Sequence, residues 1–386
     1  MVTREQWVQL IEAAWRERPI VWLSGVRRVG KTCLGQSLPN VTYFDCELPR
    51  VRQTMTGPQG FWESLPEGRI VLDEVHRLPN PSELLKIAAD HFPRLRVLAT
   101  GSSTLGASAR FRDTLTGRKR DIRLTPMTLA DMADFGSRDL HHRLLRGGLP
   151  PFFLAPSLPE QDFQEWMDAY WAKDIQELFR LERRAAFQRL VELLLAHSGG
   201  IFEATQFARL CEISRPTVTS YLGVLEATAV AHVIRPFSTR RATEIVAAPK
   251  VYGFDTGFVC YHRGWSSLRA DDLGLLWEHF VLNELLAALQ GEPIHYWRDK
   301  AGHEVDFVLK RRGRPPLAIE CKWSAAELSI ENLRAFRHRY PDGDNVLVAQ
   351  DADRPVAHTL GGIRVTVESL AQLIQRLRGK RGRPAH

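Results

Sequence analysis

No apolar stretch in the 386 residues approaches the ~20 needed to span a bilayer. The opening Met1-Val2-Thr3-Arg4-Glu5-Gln6-Trp7 also lacks the charged-then-apolar layout of a secretory leader. A cytoplasmic chain with no membrane partner is therefore expected. Cysteine is sparse: Cys33, Cys46, Cys211, Cys260 and Cys321 lie too far apart for a disulfide framework or a zinc pattern, so they read as core thiols. Acid is missing from the end of the chain. None follows Glu368, while Arg376, Arg378, Lys380, Arg381 and Arg383 supply five of the charges behind a formal net charge of +7. The remaining body, at about +2, is not an obvious polyanion binder. Within the tail, Arg381-Gly382-Arg383-Pro384 matches the core of an AT-hook, but a solvated, disordered terminus has the same composition. Its second copy, Arg312-Gly313-Arg314-Pro315, sits between two strand-like runs and reads as a hairpin loop.

The strongest signal present is Ile20-Val21-Trp22-Leu23-Ser24 followed by Gly25-Val26-Arg27-Arg28-Val29-Gly30-Lys31-Thr32, the pattern G-x-x-x-x-G-K-[ST] behind an apolar run. Glycines let backbone N–H groups turn toward a phosphate, and the following helix adds the positive end of its dipole. Lys31 is expected to reach the β- and γ-phosphates of ATP, and the Thr32 hydroxyl to join a Mg²⁺ shell. A second short apolar run, Arg69-Ile70-Val71-Leu72, ends in Asp73-Glu74. It has the form of a Walker B strand, with Asp73 on Mg²⁺ through water and Glu74 as general base; acids in that place also serve as helix caps. A third run, Leu95 to Thr100, leads into Gly101-Ser102-Ser103, where Ser102 is the candidate γ-phosphate sensor or, equally, a cap or ST-turn. In the arginine-rich stretch that follows, Arg118 is the candidate arginine finger, acting on its own or a neighbour's nucleotide; a surface arginine packing along a helix would look the same.

Strand and helix alternate through Ile20–Ser24, the helix after Gly30, Val41–Asp45, Ile70–Asp73, Val97–Thr100 and Ile122–Leu124. That rhythm predicts an α/β domain with a parallel sheet over residues 1–126. Residues 127–187 turn helical, broken at Gly147-Gly148-Leu149-Pro150-Pro151, and read as a helical lid. Residues 188–255 carry helix–turn–helix spacing, with Ser214 as N-cap and Pro216 in the first turn of a helix bearing Val218, Tyr221, Leu222 and Leu225. Strands at Val230–Ile234 and Val251–Phe254 would complete a winged-helix module. Arg215, Thr217, Thr219 and Ser220 would face outward, either lining a DNA groove or covering a packing module.

In residues 256–375, Leu275 to Leu286 has an amphipathic helix pattern bearing Glu278. Two adjacent strands then hold Asp306 and the pair Glu320 and Lys322, which share a face because they are two apart. Carboxylates from neighbouring strands with a lysine suit a Mg²⁺ site for phosphodiester cleavage, with Asp306 and Glu320 as ligands; they also suit a buried salt-bridge network. Residues 376–386 form the basic tail.

Taken together, these segments resemble prokaryotic P-loop ATPases of the AAA+ superfamily joined to a C-terminal DUF4143 domain. The match rests on Gly25–Thr32, Leu72-Asp73-Glu74, Thr100-Gly101-Ser102-Ser103, Gly147-Gly148-Leu149-Pro150 and Ile213-Ser214-Arg215-Pro216-Thr217-Val218. One departure is His76, where related chains often carry glutamine. The resemblance implies a restriction-endonuclease-like, PD-(D/E)XK C-terminal fold, in which Glu278, Asp306, Glu320 and Lys322 occupy the helix acid, the first strand acid and the E-x-K pair. Two functions follow as expectations. One is an ATP-driven enzyme acting on DNA through a nuclease, assembling with nucleotide as a homo-oligomer. The other is a regulatory or scaffold ATPase whose C-terminal domain binds DNA or protein without cutting.

Overall fold

A computed structural model describes residues 2–101, 114–158, 160–179, 183–239, 248–311 and 313–379. Chain contacts divide it into two compact units. Unit 1 comprises Met1–Asp139, Gly148–Glu182 and Gly223–Val230; unit 2 comprises Leu140–Gly147, Arg183–Leu222 and Ala231–His386. Among the described residues no helix is long and apolar enough to cross a membrane.

Unit 1 is built on five parallel strands: β1 (Ile20–Ser24), β2 (Val41–Asp45), β3 (Arg69–Asp73), β4 (Arg96–Thr100) and β5 (Lys119–Arg123), in the order β2-β3-β4-β1-β5. The three central strands are continuous apolar runs, as expected where helices cover both faces. Ile20, Val21 and Leu23, Val71 and Leu72, and Val97, Leu98 and Ala99 are fully buried. One end of this core is filled by Trp22, Trp62, Phe61, Leu84 and Leu85, with the Trp62 indole N–H donating to the Leu84 carbonyl at 2.9 Å. Strand β5 begins earlier than its apolar residues suggest. It lies at the sheet edge, where only Ile122 is buried, so its remaining positions are polar and carry no hydrophobic signal. Because all five strands run the same way, the loops after β1, β3 and β4 emerge on one edge, the arrangement of the P-loop NTPase fold.

A buried ion pair fixes that edge from below. Arg4, just before helix α1 (Glu5–Glu17), donates from Nε and Nη2 to the two Asp131 carboxylate oxygens at 2.8 and 2.7 Å. Its Nη1 donates to the Val29 carbonyl at 2.9 Å. Asp131 also accepts from the Trp7 indole and from the Thr128 backbone N–H, closing a capping box on the helix Leu129–Asp134.

Unit 2 holds a nine-stranded mixed sheet, ordered β13-β14-β12-β11-β10-β9-β7-β8-β6. Its strands are β6 (Gly200–Ile201), β7 (Ala231–Pro236), β8 (Lys250–Gly253), β9 (Ile294–Arg298), β10 (Glu304–Leu309), β11 (Leu317–Lys322), β12 (Asn345–Ala349), β13 (Val356–Leu360) and β14 (Ile363–Glu368). Strands β9, β10 and β11 are antiparallel neighbours, whereas β11, β12 and β14 are parallel. The helix Ala270–Leu289 lies against this sheet and is buried on nearly every side, with the Trp277 indole donating to the Val348 carbonyl at 3.1 Å. The expected helix pair appears as Ala204–Cys211 and Arg215–Ala227, and Ser214 Oγ accepts from the Thr217 N–H at 3.3 Å. Strands β7 and β8 pair antiparallel, but β7 also joins β9, so both belong to the large sheet. At the helix break, Gly147 has φ +87° and packs against the Asp255 carboxylate, where a side chain would collide.

Asp131→Asn leaves Arg4 charged, buried and half paired, and should cost unit 1 about 3 kcal/mol in denaturant unfolding. Burial raises the Asp131 carboxyl, but hydrogen bonds and charge from Arg4 outweigh this and hold it below its ordinary value. An acid kept ionised in the folded state stabilises fully above its unfolded pKa of about 4 and loses that contribution as pH falls through its lowered folded value. The gap between wild type and variant should therefore narrow in acid. Equal unfolding midpoints at pH 7 would contradict this role.

Candidate functional site

Strand β1 delivers the chain into the loop Gly25–Gly30, which helix α2 (Lys31–Ser37) follows. Gly25 has no room for a side chain, since a Cβ there would lie 2.6 Å from the Leu124 carbonyl oxygen. Gly30 has φ +103°, a conformation open to glycine at little cost. Lys31 is buried and folds back on the loop, donating to the Gly25 and Val26 carbonyls at 3.0 and 3.3 Å. Burial lowers its pKa, against the opposing pull of Glu74, Asp174 and Asp73. The Thr32 residue beside it is exposed.

Strand β3 ends in Asp73 and Glu74. Asp73 is buried and accepts from the Tyr43 hydroxyl at 2.7 Å and from the Thr100 hydroxyl. Thr100 in turn accepts from the Glu74 N–H at 3.1 Å, so the end of β4 orients both acids at the end of β3. Glu74 has a left-handed backbone, φ +53°, an uncommon state for a non-glycine residue and one that turns its carboxylate away from the strand direction. The carboxylate sits 3.0 Å from His76 Nδ1. Burial pushes the Glu74 pKa up, but the His76 hydrogen bond and the Lys31 charge outweigh it and hold the group ionised.

These groups open on a cavity of about 610 Å³, within the size range of small-molecule and cofactor sites. Gly25, Arg27, Arg28, Gly30, Lys31, Thr32 and Glu74 of the expected set line it. Lys173 and Asp174 line it too, from a π-helical turn at Tyr170–Ile175, and Asp174 accepts from Arg27 Nε at 3.2 Å. A loop entered through a glycine with no room for a side chain, the exposed Thr32 and the Asp73 carboxylate together fit a nucleotide phosphate chain with its Mg²⁺. Val29 is buried and Val26 is buried, so these two contribute backbone to the loop rather than side chains. Arg118 lies elsewhere: it donates from Nε to Asp90 at 2.6 Å and is not among the residues lining the cavity. Ser102 lies outside the described residues. Tyr43, Lys173 and Asp174 were not anticipated; Thr100, in the glycine-serine motif, and His76, noted only as a departure from related chains, were named without these roles.

In unit 2 the four expected residues fall in one electrostatic neighbourhood. Asp306 on β10 accepts from the Cys321 backbone N–H on β11 at 2.7 Å. Burial raises the Asp306 pKa, Glu278 raises it further, and Lys250 and Lys322 oppose. Glu320, 2% exposed, is likewise pushed up by burial and by Asp306, and its Oε1 has no hydrogen-bond partner among the described residues. Three more residues, Lys250, Glu304 and Tyr252, complete the group. Lys250 on β8 donates to Glu278 Oε1 at 2.8 Å and to Glu304 Oε1 at 2.7 Å, and the Tyr252 hydroxyl donates to Glu278 as well. Among the described residues no three His, Cys, Asp or Glu side chains are gathered to hold a metal ion. The expected pairing of Asp306 and Glu320 as metal ligands does not fit this arrangement, because the acids that would complete a shell are turned to an ammonium. Of the residues expected to face DNA, Arg215, Thr219 and Ser220 are exposed and Thr217 is half-buried.

Three families match in succession: the AAA domain over residues 17–133, the domain of unknown function DUF8612 over 137–269, and the domain of unknown function DUF4143 over 273–366. The uncharacterized proteins Mb2031c of Mycobacterium bovis and Rv2008c of Mycobacterium tuberculosis are each 29% identical over 386 residues, covering 92% of this chain and 85% of their own length. Among solved structures, the Walker-type ATPase PABY2304 of Pyrococcus abyssi superposes with a TM-score of 0.44 at 16% identity, covering 68% of this chain and 96% of that one. An Hsp104–ADP complex of S. cerevisiae gives 0.32 at 15% identity, covering 58% and 39%. The chain thus carries, on a P-loop sheet, an AAA domain at residues 17–133 and a DUF4143 domain at residues 273–366.

Proposed function

We propose that unit 1 binds and hydrolyses ATP with Mg²⁺, and that this cycle governs a C-terminal unit that binds nucleic acid without cutting it. The observation that carries the first part is the placement of Lys31, Thr32, Asp73 and Glu74 around one strand edge, with Thr100 orienting both acids. Lys31 leaves its two loop carbonyls to meet the β- and γ-phosphates. Thr32 and Asp73 are the residues to hold Mg²⁺, which when bound neutralises charge on those phosphates. Glu74, kept ionised, takes the proton of the attacking water. Lys31→Ala should abolish ATP binding, whereas Glu74→Gln should keep binding and lose turnover by about 10²-fold or more. Undiminished ATP affinity in Lys31→Ala would overturn the assignment.

His76 is a positioning residue for that base. His76→Ala removes the partner that lowers the Glu74 pKa, so the acid limb of the turnover profile should move to higher pH. An unmoved limb would assign the His76 contact to structure alone.

Arg118 has no place in its own unit's cavity, which leaves it for a second copy. ATP-promoted self-association is the corresponding proposal: a non-hydrolysable analogue should raise the sedimentation coefficient of wild type. A monomer with and without the analogue would remove the finger role.

For unit 2, a metal-dependent nuclease and a non-cutting binding module share the same residues. The Lys250 bridge favours the second, because an ammonium already neutralises Glu278 and Glu304. The exposed Arg215, Thr219 and Ser220 supply a helix surface suited to a DNA backbone. Wild type should retard duplex DNA and leave it intact in Mg²⁺ or Mn²⁺; cleavage lost in Asp306→Ala would establish the nuclease instead.

A further inference from the structure

The cavity of unit 1 contains an ion pair that the chemistry proposed above does not use. Arg27, inside the glycine loop, donates from Nε to Asp174 at 3.2 Å, and both side chains line the cavity together with Lys31 and Glu74. All four residues belong to unit 1. The pair sits beside the phosphate-binding lysine and the base: Lys31 and Glu74 both act on the charge of Asp174, and Arg27 acts on both of them. Burial raises the Asp174 pKa, against the pull of Arg27 and Lys31. Asp174 comes from the π-helical turn Tyr170–Ile175, a rare geometry found frequently at functional sites. The helical segment before that turn holds the Arg27 main chain. The buried indole of Trp166 donates from its N–H to the Arg27 carbonyl at 3.0 Å, and Tyr170 stacks on that indole with ring centroids 5.3 Å apart. Arg27 therefore has a fixed backbone and a side chain that can exchange partners.

We propose that Arg27 is a catalytic arginine supplied by the phosphate loop itself, and that Asp174 is the positioning residue that holds its guanidinium until a γ-phosphate takes it. This rests on the ATPase reading of unit 1. A γ-phosphate arriving between Lys31 and Glu74 meets the Asp174 carboxylate as a like charge and offers Arg27 a stronger acceptor, since phosphate can take a guanidinium through two parallel hydrogen bonds. The guanidinium changes partner and neutralises charge that develops on the transferring phosphoryl group. ADP brings no γ-phosphate and leaves the pair with Asp174 intact, so the exchange distinguishes ATP from ADP. Unlike the role left to Arg118, this one needs no second copy.

The test uses full-length protein in Mg²⁺, with affinities for ADP and for the β,γ-imido analogue of ATP measured by calorimetry and kcat measured by phosphate release at saturating ATP. Arg27→Ala should lower kcat by about 10²-fold or more. It should also lose about tenfold more affinity for the imido analogue than for ADP, as expected for a hydrogen bond to a charged group. Arg27→Gln serves as a second neutral variant should the first fail to fold. Asp174→Asn no longer holds the guanidinium by charge and should shift the affinity ratio the other way, toward the imido analogue, by about tenfold. If wild type hydrolyses ATP and the neutral Arg27 variants keep its kcat, the catalytic role of Arg27 is overturned while the ATPase stands. If Asp174→Asn changes both affinities equally, Asp174 is structural and its positioning role is overturned. If wild type binds neither nucleotide, the ATPase reading falls and takes this proposal with it.

Discussion

The contact between Arg4 and Asp131 does for unit 1 what no feature of the P-loop does for itself. A loop that must present its N–H groups to a phosphate has carbonyls left over, and it needs a fixed anchor to keep its shape without ligand. Arg4 provides one by donating to the Val29 carbonyl from a guanidinium whose other side is held by the Asp131 carboxylate. The pair links the start of α1, the loop and the helix Leu129–Asp134, elements far apart in sequence. Charged groups this deeply buried are tolerated because their partners are many: Arg4 donates to the Thr125 carbonyl as well, and Asp131 accepts from Trp7 and Thr128.

The two sites treat their acids in opposite ways. In unit 1, Glu74 gains a histidine and a lysine and stays ionised, as the proposed role of general base requires. In unit 2, Asp306 is pushed upward by burial and by Glu278, and Glu320 by burial and by Asp306. Strand pairing shows where this pressure originates. The β10–β11 register runs through Phe307, Val308 and Leu309, opposite Ile319, Ala318 and Leu317. Beyond it, the Asp306 side chain accepts the Cys321 N–H. The carboxylate is thus tied to the backbone within a crowd of like charge.

Much of unit 1 was legible because its signals are local. An apolar run followed by a glycine loop, and an apolar run ending in two acids, each fit within a dozen residues, and the central strands sit where those runs lie. Edge strand β5 was misjudged at its start because a strand with one buried residue has no hydrophobic pattern to read. Partners supplied from a distance left no mark: nothing around Arg4, Tyr43 or Lys173 announces the loop or the acids they adjoin. Lys250 was hidden for the same reason. It follows a proline in a short strand and looks like a surface lysine until Glu278 and Glu304 are brought to it by a helix and a strand much later in the chain.

The chain enters and leaves each unit several times. Leu140–Gly147 belongs to unit 2 although unit 1 lies on both sides of it in sequence, and Gly223–Val230 returns to unit 1 after forty residues of unit 2. During synthesis, the nucleotide-binding unit therefore waits for its last segment until more than half of the polypeptide has left the ribosome. The octapeptide at Leu140 must wait longer, for a sheet whose strands are made afterwards. Neither unit can be inherited, excised or transplanted by a single join, and a nonsense mutation anywhere before residue 230 deprives both.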